Sequence, residues 1–162
     1  MASGPQKTPE SVMTMQGEAP PHPTDPSVMK GVIPYLYLGG NTGKAIAFYK
    51  TAFGATEMGV MPWVDEKTGQ KGVMHGQVAI NGGALMLSDF HPHLKSFTPP
   101  PGVTMQLVVD DGAAWFKRAT DAGCTVVMPF EKAFWGDWYG VLTDPFGIQW
   151  AVLTPGMVAD RK

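Results

Sequence analysis

Apolar and polar positions along the chain fall into two runs of similar shape. The first begins at Val32. Val32–Leu38 (VIPYLYL) has the make-up of a strand, Gly39-Gly40-Asn41 breaks it, and Thr42 is placed to cap a helix. Over Gly43–Phe53 the apolar residues Ala45, Ile46, Tyr49, Ala52 and Phe53 recur at helical spacing, and Gly54 ends the run. Short strands are expected over Ala55–Met61, Val73–Ile80 and Ala84–Ser88. The last two are joined by Asn81-Gly82-Gly83, residues that accept the positive φ of a tight hairpin. Pro62–Gly72, polar and glycine-containing, reads as a loop. After a proline-rich stretch, Phe90–Gly102, the pattern restarts. It predicts a strand over Thr104–Val109, a helix over Gly112–Ala122 that starts at Asp110-Asp111 and stops at Gly123, and a strand over Cys124–Met128. A hairpin of Tyr139–Thr143 and Ile148–Leu153 then crosses Asp144-Pro145-Phe146-Gly147, whose proline and glycine suit a type I turn.

Set beside each other, Leu36–Thr56 and Leu107–Thr125 share one plan. Each has an apolar strand and a Gly-Gly or Asp-Asp corner. Each then has an aromatic–aromatic–Lys triplet (Phe48-Tyr49-Lys50, Trp115-Phe116-Lys117), a closing glycine, and a threonine two residues on. This predicts an internal duplication. The fold class is α+β: two tandem βαβββ units forming curved, largely antiparallel sheets around a cleft. One unit cannot cover both faces of its own sheet, so two units must pack together or pair across subunits. The expected boundaries are a flexible tail over 1–30, a domain over 31–155, and a C-terminal tail over 156–162. Within the domain, 31–90 is the first unit, 91–102 a linker and 103–155 the second unit.

Composition narrows the function classes. A chain of 162 residues with 44% hydrophobic and 16% charged residues has the means for one sizeable core. The formal net charge of −2, with no run of Lys or Arg, argues against nucleic acid or an anionic membrane as partner. No apolar stretch approaches the roughly 20 residues of a membrane span. The opening MASGPQKTPE lacks the basic-then-apolar pattern of a signal peptide, and Cys124 is the single cysteine, which rules out an intrachain disulfide. A cytoplasmic protein is expected.

Several residues are candidates for chemistry. Strand alternation puts His75, Gln77 and Ala79 on one face and Met74, Val78 and Ile80 on the other. The second face is apolar and should meet a helix, which leaves the first to the cleft. If Asn81 pairs with Ala84, Met86 and Ser88 share that face. His75 can then act as a general base or hydrogen-bond a ligand, or it can be a structural residue bonded to backbone. The stretch Phe130–Tyr139 (FEKAFWGDWY) reads as a loop crowded with aromatics. Trp135, Trp138 and Tyr139 are candidates for a ligand wall, with plugging the end of the sheet as the alternative. His91 and His93, in the linker, read as solvated, as does His22 in the tail. Gly39–Lys44 lacks the spacing of a phosphate loop.

Three segments carry a family resemblance: IPYLYLGGNTGKAIAFYKTAFGA, VMHGQVAINGGALMLSD and FWGDWYGVLTDPFGIQWAV. The chain resembles the vicinal-oxygen-chelate superfamily (glyoxalase I, extradiol dioxygenases, bleomycin-resistance proteins) and most closely its PhnB-like branch, over roughly Ile33 to Thr154. The resemblance implies a βαβββ fold, a cleft that binds a small molecule, and a homodimer. It also implies four metal positions, on the first and last strands of each unit. These fall on Pro34, Met86, Thr104 and Ala151, none a strong ligand, so no metal and no cofactor are expected. The candidate site is therefore His75 as the catalytic residue, with Gln77, Met86, Ser88, Thr104, Gln106, Trp135, Trp138 and Tyr139 as ligand contacts. The leading expectation is a metal-independent binding protein for a partly apolar or aromatic molecule. The alternative is a lyase or isomerase using His75 or an unrecognised metal site.

Overall fold

The computed structural model describes residues 31–89 and 102–159. The expected N-terminal tail with His22, the linker residues 90–101 with His91 and His93, and residues 160–162 lie outside the described residues. The first unit runs β1 (Tyr35–Tyr37), α1 (Thr42–Phe53), β2 (Thr56–Val64), β3 (Lys71–Ile80) and β4 (Gly83–Ser88). The second runs β5 (Thr104–Val108), α2 (Gly112–Ala122), β6 (Thr125–Lys132), β7 (Trp138–Thr143) and β8 (Gln149–Thr154), with a short α3 (Gly156–Ala159) after it. Each unit makes its own four-stranded sheet, ordered β1-β4-β3-β2 and β5-β8-β7-β6. In each, the first strand pairs parallel with the last and the other pairings are antiparallel. The sheets do not close into a barrel.

The duplication extends to the packing. Gly76 of β3 pairs with Leu87, and Gly140 of β7 pairs with Val152, the corresponding places in the two sheets. A Cβ on Gly76 would stand 2.9 Å from Ile46 Cδ1 of α1, and one on Gly140 would stand 2.7 Å from Phe116 Cε2 of α2. Each sheet thus uses a glycine to let its helix settle close. Ile46 and Phe116 are both fifth in their helices, so the structural counterpart of Tyr49 is Ala119, not Phe116. The aromatic–aromatic–Lys triplets are one turn out of step. Helices α1 and α2 pack on each other, and in these equivalent places one carries a bulky Tyr49 and the other a small Ala119, both fully buried.

Four other expectations shift. β1 is shorter than Val32–Leu38: it is confined to the three residues paired with Met86–Ser88 of β4, and Pro34 just before it has no N–H to donate. The stretch Pro62–Gly72 is not all loop: β2 and β3 run on to Val64 and from Lys71, leaving a turn in which Asp65 Oδ1 accepts from the N–H groups of Lys67 and Thr68. Likewise Phe130–Lys132 belongs to β6 and Trp138–Tyr139 to β7, so the aromatic stretch is the end of a hairpin. Pro62 and Pro129 are tolerated in these strands because β2 and β6 are edges with register shifts there. Finally, the C-terminal segment opens with the turn of helix α3 rather than as a tail, held where Gly156 N–H donates to Asp137 Oδ1 at 2.9 Å. The helix Gly112–Ala122 agrees with expectation, and Asp111 caps it by accepting from Ala114 N–H at 3.1 Å.

The core is continuous between the units. Tyr49 and Phe53 of α1 pack on Trp150 of β8, at ring-centroid distances of 5.3 and 4.4 Å. At its centre is Asp144, first residue of the Asp-Pro-Phe-Gly turn and only 4% exposed. Its Oδ1 accepts from the N–H groups of Phe146 and Ile148, and its Oδ2 from Tyr49 Oη at 2.8 Å and Trp150 Nε1 at 3.0 Å. Four donors offset the cost of burying the carboxylate. Burial, and the nearby Asp144, raise Tyr49 well above the usual phenol range, so it remains a donor.

Candidate functional site

Because helices cover one face of each sheet, the functional question concerns the other two faces. On the first sheet, β1 places Tyr35 and Tyr37 beside Met86 and Ser88 of β4. Beyond β4, Gln77 of β3 pairs with Met86, and Met61 of β2 pairs with His75. His75, Gln77, Met86 and Ser88 therefore share one face with Tyr35 and Tyr37. The hairpin pairs Ala79 with Ala84, where Asn81–Ala84 pairing was expected. That offset of two residues preserves side-chain parity, so the face is the same. The turn sits on Asn81-Gly82, one residue earlier than expected, with positive φ at Asn81 (48°) and Gly82 (77°), as in a type I′ hairpin.

A bonded cluster forms on this face. Tyr35 Oη and His75 Nδ1 are 2.9 Å apart. Tyr35 stacks on Tyr37 with centroids 4.9 Å apart and planes 25° from parallel. Gln77 and Ser88 are each 1% exposed, and Ser88 Oγ donates to the Met74 carbonyl at 2.6 Å. Burial, chiefly, and the neighbouring Tyr37 raise the Tyr35 phenol, while a hydrogen bond from Ser88 opposes them. His75 thus meets a side-chain hydroxyl from another strand. Sequence reading missed Tyr35 as its partner, because the two are joined only through the order β1-β4-β3.

The remaining candidates go elsewhere. Gln106 of β5 lies beside Ala151 of β8 and Thr104 beside Gln149, on the open face of the second sheet. Thr104 and Gln106 also line a crevice between the units, with Pro34, Leu85, Met105 and Trp150. Its volume of about 230 Å³ is below the roughly 300 Å³ at which drug-sized ligand pockets begin. Tyr139 pairs with Leu153 on the open face, and Trp135 meets its ring edge-on at 5.7 Å. Trp138 lies on the helix side instead, stacked on Phe130 at 6.0 Å. Phe134, next to Trp135, is 99% exposed.

Two carboxylates that sequence reading passed over organise the surroundings. Asp144 is one. Asp89, just past β4, is the other: its Oδ1 accepts from Gly40 and Thr42 N–H and its Oδ2 from Val73 N–H, at 2.8–2.9 Å. Asp89 thus closes the start of α1. Thr42, expected as the cap, is the first helical residue, and Asn41 at the N-cap makes no side-chain cap bond. A carboxylate 47 residues away in sequence gives no local signal.

The strand register also tests the fold's metal positions. The neighbour of Met86 on this face is Tyr35, with Pro34 one residue before it, and the neighbour of Ala151 is Gln106. A phenol, a thioether, an amide and a methyl group do not make a set for a divalent cation, which takes imidazole, carboxylate or thiolate. Among the described residues no three His, Cys, Asp or Glu side chains gather closely enough to hold a metal ion. Among them, too, no helix is long and apolar enough to cross a membrane.

Comparisons with known proteins agree with this architecture. Protein Rv0887c of Mycobacterium tuberculosis is 40% identical over 136 residues, which cover 80% of this chain and 76% of that protein. Among solved structures, PA1353 from Pseudomonas aeruginosa superposes with a TM-score of 0.64 at 29% identity, covering 78% of this chain and 98% of that one. The PhnB protein from Bacillus cereus does so with a TM-score of 0.63 at 17% identity, covering 77% and 99%. The model of the Glyoxalase/Bleomycin resistance protein/Dioxygenase superfamily matches residues 32–152, and the chain belongs to that family.

Proposed function

We propose that the protein binds a small, partly apolar or aromatic molecule between open sheet faces, without a metal ion. One observation carries this reading: the expected metal positions, Pro34, Met86, Thr104 and Ala151, and the residues paired with two of them, Tyr35 beside Met86 and Gln106 beside Ala151, offer ring, thioether, hydroxyl and amide surface in place of imidazole or carboxylate. The cleft is closed by a second copy in a homodimer. The open face of the first sheet is polar and aromatic. That of the second exposes Val108 and Met128 beside Val141 and Leu153. Pairing one face with the other's counterpart would cover the apolar side and wall in the polar one. The lone, buried thiol of Cys124 fits a reducing cytoplasm.

The test combines metal content, mass and ligand binding. Protein purified without chelators is expected to hold far less than one metal ion per chain, to sediment at twice the chain mass of 17.4 kDa, and to bind aromatic molecules from a panel at micromolar concentration. Leu153→Glu, on the open second face, should give a folded monomer that no longer binds. Stoichiometric metal, or no ligand from a broad panel, would overturn the reading. A second reading, a lyase or isomerase acting through His75, is favoured by the 2.9 Å contact of its Nδ1 with Tyr35. Unchanged turnover of a discovered substrate by His75→Ala would eliminate it.

A further inference from the structure

The Tyr35–His75 contact tells more about the ligand than the face as a whole does. Tyr35 reaches His75 from the edge strand, with β4 between them, and its oxygen is 2.9 Å from Nδ1. Burial holds the Tyr35 phenol above its ordinary range, so it keeps its proton at neutral pH. A phenol has one proton to donate and two lone pairs. With His75 in the tautomer that accepts at Nδ1 and one phenol lone pair toward Ser88, the second lone pair still accepts. A donor arriving at that oxygen completes a chain from ligand to Tyr35 to His75, in which each hydrogen bond polarises the next. Tyr35 remains 37% exposed, so a donor can reach it, and its stacking on Tyr37 extends a flat aromatic surface alongside.

The same face says which donor fits. A chain that ends on imidazole, a base of pKa about 6.5, draws most strongly on a donor with some acidity of its own. The side chains of the face, Tyr35, Tyr37, Met61, His75, Gln77 and Met86, include no lysine or arginine. A carboxylate or phosphate would find no counter-charge among them. An un-ionised acidic hydroxyl on a planar ring needs none.

We propose that Tyr35, backed by His75, is a specificity-determining residue that selects planar aromatic ligands carrying an acidic hydroxyl, by accepting that hydroxyl's hydrogen bond. The proposal rests on the reading of this face as part of a small-molecule cleft, and one experiment separates the two. Isothermal titration at neutral pH compares 4-cyanophenol with benzonitrile, which differs only in lacking the hydroxyl. Wild-type protein should bind both, with 4-cyanophenol tighter by about five- to tenfold, the worth of one polarised hydrogen bond. Tyr35→Phe should leave benzonitrile binding unchanged and bring the ratio to about one, given the loss of that bond. His75→Leu, which leaves the phenol unpolarised, should lower the ratio in the same direction, and it carries the test alone if Tyr35→Phe does not fold. Equal binding of the two probes by wild-type protein, or a preference that survives these variants, overturns the inference while the cleft stands. Binding of neither probe overturns both.

Discussion

The two units share a plan on one side of their sheets and part company on the other. Gly76 and Gly140 set a common frame. In that frame the helix-facing pairs Leu36 and Leu107, Val78 and Leu142, and Leu87 and Val152 are buried and apolar in both units. The open faces show no such agreement. Tyr35, Tyr37, His75, Gln77 and Ser88 in the first unit correspond to Gln106, Val108, Tyr139, Val141 and Leu153 in the second. A face packed on its own helix must satisfy close packing whatever the protein does. A face not packed on its own helix is free to specialise, and the two have diverged: Tyr37, Gln77 and Ser88 stand where the second unit has Val108, Val141 and Leu153. The hairpins between the last two strands differ in the same way. In the first, Asn81 Nδ2 donates one exposed bond to the Val108 carbonyl of the other unit. In the second, Asp144 gathers four donors, including Tyr49 of the other unit, out of solvent.

The strongest way to break this comparison is to remove both cross-unit contacts in turn. Asp144→Ala should cost about 3–5 kcal/mol, since it strands two side-chain and two backbone donors in the core. Asn81→Ala should cost less than about 1 kcal/mol, because water replaces the lost partner. Urea unfolding of both variants measures this, and equal losses would mean that Asp144 does not hold the units together.

A smaller effect sharpens the likeness on the helix side. Alanine at Gly140 would press on Phe116 and, at 2.9 Å, on the Phe130 backbone, and should destabilise by about 2–3 kcal/mol. Alanine at Gly76 meets the movable end of Ile46 and should cost about 1 kcal/mol. Thermal melts of the two variants rank them, and the reverse order would show that the two contacts are not equivalent.

The smallest effect concerns pH. Tyr49, in the first unit, and Cys124, in the second, both titrate higher when folded. Burial is the main cause for each, with Asp144 adding to it, and it pushes the Cys124 thiol up to about 12. A group whose pKa is raised on folding supports the folded state fully below its ordinary value and loses that support as pH rises. Stability should therefore stay level from neutral pH to about 9.0, the ordinary value for a thiol, and then fall through 10.0, that for a phenol, and beyond. Denaturant midpoints across this range test it. Cys124→Ala should flatten the first part of the fall and Tyr49→Phe the second; an alkaline slope unchanged in both would reject the assignment.

Much of the fold was legible because its signals are local. Helix α2 matched its expected bounds, since Asp111, Gly123 and the apolar spacing between them all act within one element. The hairpin at Asn81-Gly82 was readable from residues that tolerate positive φ. The ends of β2 and β6 were not, because Pro62 and Pro129 argue for loop until the strands are known to be edges. The site was legible in part. Alternation alone grouped His75, Gln77, Met86 and Ser88. Tyr35 was hidden, because it joins His75 only through an intervening strand, and the wall formed by Trp135 and Trp138 divided when strand parity turned Trp138 to the helix side.

By itself, the sequence determined the duplicated unit and the order of its elements, because periodicity and turn chemistry are properties of neighbours along the chain. Only the tertiary structure decided that Ala119 and not Phe116 answers Tyr49, that Asp144 and Asp89 bind elements far away in sequence, and that Tyr35 holds His75. Each of these depends on which strands lie side by side and which helices touch, and long-range packing settles that.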